Sequence, residues 1–194
     1  SIVIGLTYHE VAHLMSGEQH IQPHLLDNII NDSNDFTFVP QQWKGSMPFT
    51  ISLMNTTYRQ GMDLKDIPLQ SRSDKLQALI HLSVSYMRKL RIRDQGIDCR
   101  SLSQNHLLGP YFERIKPIMR KARKVDIKKR PVLVGKLYDV LKDFWDNDTA
   151  PGQKSFDEAL ENSQPEITII LTGADAKELK KTLDSLGTMQ KVTG

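Results

Sequence analysis

The sequence predicts an α+β fold that is predominantly α-helical, with about six helices and a few short strands. Three observations predict it. Apolar residues recur at intervals of three and four over long stretches of the second half, as in Leu76, Leu79, Ile80, Met87 and Leu90, with Ser83 in register. Short runs of β-branched and aromatic residues bounded by turn formers occur at 2–6, 36–39, 49–53 and 166–171. Glycine and proline punctuate the chain where those patterns change.

Taken in order, Ile2 to Leu6 read as a short buried strand and Tyr8 to Met15 as a helix stopping near Gly17. Pro23 suits a helical first turn and opens a second helix through Leu25, Leu26, Ile29 and Ile30, ended by Asp32-Ser33-Asn34-Asp35. Phe36–Val39 and Phe49–Leu53 read as strands joined by a loop holding Pro40, Trp43, Gly45 and Pro48. Residues 54–72 read as an irregular connection, and Ser73 as the N-cap of a helix that stops at Gly96. A short helix over 101–108 is expected to break at Gly109-Pro110. From Tyr111, an apolar stripe through Phe112, Ile115, Met119, Ala122 and Val125 gives another helix. Beyond Pro131, a further helix carries Leu133, Leu137, Val140, Leu141, Phe144 and Trp145. A short helix follows near Phe156–Leu160, then a strand at 166–171 and a last helix from Asp175, with Glu178 three residues later as in a capping box.

These elements divide into a mixed α/β region over 1–72 and a mainly helical region over 73–194, packed as one domain. The apolar opening at Ser1-Ile2-Val3-Ile4 suggests a segment of a longer chain. With 194 residues and 39% hydrophobic content, the chain can bury a core, which excludes a disordered tail. The single cysteine, Cys99, makes no internal disulfide, so a reducing cytoplasmic or nuclear compartment is expected. No apolar run reaches the roughly 18 residues of a membrane span.

Charge is strongly segregated. Between Tyr86 and Arg130 lie fourteen of the 26 bases and only four acids, a formal +10, while residues 1–85 carry −3 and residues 131–194 carry −4. A field of that size attracts counter-charge. The candidate anion-binding residues are Arg88, Lys89, Arg91 and Arg93 at the end of one helix, and Arg114, Lys116, Arg120, Lys121, Arg123 and Lys124 flanking the stripe of the next. Lys128, Lys129 and Arg130 complete the set. Guanidinium forks and ammonium groups both suit phosphate, so the expected partner is nucleic acid or an anionic phosphoinositide membrane. An acidic protein is a further alternative. Two opposing effects absorb part of the charge: cations complement a helix C-terminus, and Asp139, Asp143, Asp146 and Asp148 offer internal partners. Only Tyr86, Tyr111 and Phe112 supply rings within the block, too few for a single-strand stacking platform.

The other constellation is His9-Glu10-Val11-Ala12-His13. On a helix, His9 and His13 share a face and can hold zinc, while Glu10 can activate a metal-bound water. The uncharged flanks Leu6, Thr7, Leu14 and Met15 resemble the extended signature of zincin metallopeptidases over about ten residues. That resemblance implies a third ligand, for which His20 is the candidate, displaced by one residue from the metzincin spacing. It also implies a sheet before the motif, where only eight residues precede His9. A zinc-dependent hydrolase is therefore the enzyme alternative, and the leading expectation is non-enzymatic binding with no cofactor. No P-loop, dinucleotide fingerprint, nucleophile elbow or Cys-x-x-Cys pair occurs.

Overall fold

The computed structural model describes residues 2–16, 21–60, 69–92, 105–150 and 155–163, with Lys177 and Lys181. Among them are seven α-helices and no strand: α1 (Ile2–Ser16), α2 (His24–Gln42), α3 (Met47–Gln60), α4 (Arg72–Ile92), α5 (Gly109–Ala122), α6 (Arg130–Asn147) and α7 (Phe156–Glu161). A 3-10 turn, Ile127–Lys129, joins α5 to α6. The expectation of a mainly helical chain holds, and three of the expected strands are helical instead.

Residues 2–6 and 49–53, both read as strands, pack against each other as helices. Gly5 is buried where α1 crosses α3, and a Cβ there would stand 2.6 Å from the Phe49 carbonyl oxygen and 2.9 Å from the Leu53 Cβ. A short apolar run has no period that separates a buried strand from a buried helix, and close packing of two helices decides here for the helix. Gly5→Ala should accordingly destabilise the protein by about 1–3 kcal/mol in chemical denaturation, despite the better helix propensity of alanine, because a backbone oxygen cannot rotate away. An unchanged midpoint would show that α1 does not sit this close to α3.

The third expected strand, 36–39, lies inside α2, which runs straight through the expected stop at 32–35 and carries Pro40 in its last turns. Polar residues stop a helix by bonding their own backbone, whereas here Asp32 and Asn34 are used elsewhere. Asp32 faces His9 of α1, Ser33 is buried, and the Asn34 amide donates to the Val125 carbonyl at 3.3 Å. The connection expected over 54–72 also shortens, since α3 reaches Gln60 and α4 begins at Arg72. Its cap is Ser71 rather than Ser73: Ser71 Oγ accepts from the Asp74 amide at 3.0 Å, and Asp74 Oδ2 accepts from the Ser71 amide at 2.9 Å.

Residues 105–108 form a turn, and Gly109-Pro110 starts α5 instead of breaking a helix. Asn105 Oδ1 accepts from the Leu107 and Leu108 amides, and Pro110 occupies the first helical turn, where its missing N–H costs nothing. Ser155 and Glu158 cap α7 reciprocally. The stop at Gly96, residues 101–104 and the strand at 166–171 lie outside the described residues, as does the last helix except for Lys177 and Lys181, both helical and exposed.

The main core is built from one face each of α2, α4, α5, α6 and α7 around Leu26, Ile30, Leu79, Phe112, Leu137 and Leu141. The periodicity of α4, α5 and α6 matches it closely, because three-four spacing of large apolar side chains is the burial pattern itself; Val125 falls past the end of α5 and is half-buried, and the Leu90 side chain lies outside the described residues. Helix α2 meets α1 and α3 on one side and α4, α5 and α6 on the other. Among the described residues no helix is long and apolar enough to cross a membrane.

Candidate functional site

Helices α5 and α6 form a hairpin whose connecting turn holds the densest part of the basic block. The turn is tied at both ends. The Lys124 amide donates to the Lys121 carbonyl at 3.1 Å, the Lys129 amide to the Asp126 carbonyl at 2.8 Å, and the Lys128 amide to Asp126 Oδ1 at 2.9 Å. The carboxylate of Asp126, one of only four acids in the block, is thereby engaged as a turn former. Two residues of α2 three apart hold the turn from beneath: Asn34 donates to the Val125 carbonyl, and Asn31 Oδ1 accepts from Arg130 Nη1 at 2.8 Å.

The structure separates the nine candidate cations whose side chains are described into different fates. Arg130 is 3% exposed and bonded to Asn31, so it serves the interior and not the surface. Arg114 pairs with Asp143 of α6 and stands 5.7 Å from the Tyr111 ring centroid. Lys116 pairs with Glu113 beneath it and lies 5.0 Å from the Phe112 ring centroid. Arg120 Nε donates to the Tyr86 hydroxyl oxygen at 2.8 Å. Arg123 is half-buried. Arg88, Lys89 and Arg91 belong to the end of α4, with side chains outside the described residues, as is the whole of Arg93.

What is left is four lysines. Lys121, Lys124, Lys128 and Lys129 are all exposed, and no carboxylate among the described residues pairs with them. Lys121 sits at the C-terminal end of α5, where cations suit the helix dipole. Lys128 and Lys129 are at the N-terminal end of α6, where they do not. The first turn of α6 contains no acid and no side-chain cap, and its last turn contains no base. Asp139, Asp143 and Asp146 lie in its C-terminal half instead, Asp143 paired with Arg114 and Asp146 with Lys142. This helix is charged in the reverse of the sense its dipole favours.

Sequence reasoning overlooked two neighbours of the lysines. Lys136 is exposed on α6 beyond the block, and Val132 in the first turn is 57% exposed beside an exposed Pro131. The signal was present: Val132 and Lys136 are four apart and off the stripe of Leu133, Leu137 and Leu141, so they share the outward face. On α4, burial pushes the His81 imidazole below its ordinary pKa.

The His9–His13 motif lies on a helix, as expected, but His9 Nε2 is directed at Asp32 Oδ1 of α2, 3.5 Å away, while Glu10 is exposed. The side chain of His13 and the whole of His20 are outside the described residues. Among the described residues, no three His, Cys, Asp or Glu side chains converge as a metal would require. Comparison of the chain with protein-family models, curated proteins and solved structures found no match in any of the three.

Proposed function

We propose that the chain is a binding domain that engages a phosphate-bearing polyanion through the turn between α5 and α6. The observation that carries this reading is the set of four exposed lysines at a turn tied down by Asn31 and Asn34, on the positive end of the α6 dipole. Like charges so placed repel one another, and Lys128 and Lys129 also oppose the dipole of α6, an arrangement that a purely structural role does not require. Among the described arginines, Arg130 is buried against Asn31, Arg114 pairs with Asp143 and Arg120 bonds the Tyr86 hydroxyl. Recognition therefore rests on summed charge more than on directional bonds.

A titration against duplex DNA, RNA and anionic liposomes at two salt concentrations tests it. Binding to at least one polyanion should weaken steeply with salt, with a log–log slope of about −3 to −4 if four phosphates of a duplex are met. Substituting Lys121, Lys124, Lys128 and Lys129 together with glutamine should flatten that slope. Salt-independent binding, or none to any of the three, rejects the proposal.

A further inference from the structure

We infer that the polyanion is the surface of an anionic phospholipid bilayer, with Val132 as the apolar contact that enters it. This rests on the anion-binding reading above and adds to it a ligand source and a residue that carries no charge. Val132 is 57% exposed in the first turn of α6, next to the exposed Pro131. Lys128 and Lys129 precede it and Lys136 follows four residues later, so an exposed aliphatic group is ringed by unpaired cations.

That juxtaposition separates the possible polyanions. Against a duplex backbone, Val132 would face phosphate oxygens and ordered water, with nothing apolar to gain. Against a bilayer, cations at headgroup level let an apolar side chain beside them reach the acyl boundary. Lipid headgroups also diffuse to meet point charges, so flexible lysines without arginine forks are sufficient. Base stacking has no platform here, since Tyr86 and Phe112 are buried and Tyr111 packs edge-on to Phe144 with centroids 5.3 Å apart.

The test uses the full chain in sedimentation with phosphatidylcholine vesicles containing about 30% phosphatidylserine, with pure phosphatidylcholine vesicles and duplex DNA as comparators. Wild type should sediment with the anionic vesicles and not with the neutral ones. Val132→Ser, a change at an exposed position, should weaken vesicle binding by about fivefold to tenfold and leave DNA binding unchanged. Val132→Trp should strengthen vesicle binding, because an indole favours the interface. If Val132→Ser binds vesicles like wild type, or DNA displaces the protein from vesicles at equal phosphate concentration, the lipid assignment fails while the basic surface stands. If the four-lysine glutamine variant binds vesicles and DNA like wild type, the underlying reading fails as well.

Discussion

Replacing Lys128 and Lys129 with glutamate should raise thermal stability while removing polyanion binding. Both residues stand at the N-terminal end of α6, whose first turn holds neither an acid nor a side-chain cap. A carboxylate near a helix N-terminus contributes about 0.3–1 kcal/mol, and each reversal also relieves repulsion from the neighbouring Lys124. Together they should stabilise by about 1 kcal/mol, raising Tm by about 2–4 °C for a chain of this size. The same change shifts the turn by four charge units, and binding at low salt should fall by roughly a hundredfold or more. Calorimetry and vesicle sedimentation on one preparation check both halves. A lowered Tm together with unaltered binding would mean that these lysines are structural.

Asp148→Ala should be the most damaging single substitution to stability at the other end of α6. Lys75 Nζ lies 2.9 and 3.0 Å from the two carboxylate oxygens of Asp148, with side-chain exposures of 10% and 9%. Removing one partner leaves a buried ammonium without a counter-charge, at a cost of about 3–5 kcal/mol and roughly 10 °C in Tm. Adding Lys75→Met to Asp148→Ala should recover part of the loss in urea denaturation, because an apolar side chain then replaces the stranded charge. Helix α6 has 18 residues, so this pair and the lysine turn are separated by about 27 Å. Anion binding measured below the unfolding transition should be unchanged in Asp148→Ala. The two substitutions thus move stability and binding independently.

Much of the second half was legible because its periodicity and its burial are the same fact. Leu76, Leu79 and Ile80 on α4, Phe112, Ile115 and Met119 on α5, and Leu133, Leu137 and Leu141 on α6 were all read as buried stripes, and all are buried. The first half was misread where runs were short. Ile2–Leu6 and Phe49–Leu53 have β-forming composition, yet they pack as a helix pair with Gly5 at their close approach. Asp32 to Asp35 reads as a stop in isolation, yet Asp32 and Asn34 have partners on other helices. Pro110 reads as a break and is a helix start, since the same missing amide serves either role.

The sequence by itself determined where the positive charge lies and which stripes of α4, α5 and α6 face inward, because both depend on residue identity and spacing alone. Tertiary structure decided which cations remain available. Arg130 and Lys128 are two residues apart and equally charged, but one is buried against Asn31 of α2 and the other is exposed. The same distinction separates Arg114, paired across the hairpin with Asp143, from Lys121. Each of these pairings joins residues far apart in the chain, and spacing along one helix carries no information about the side chain that a second helix places opposite it.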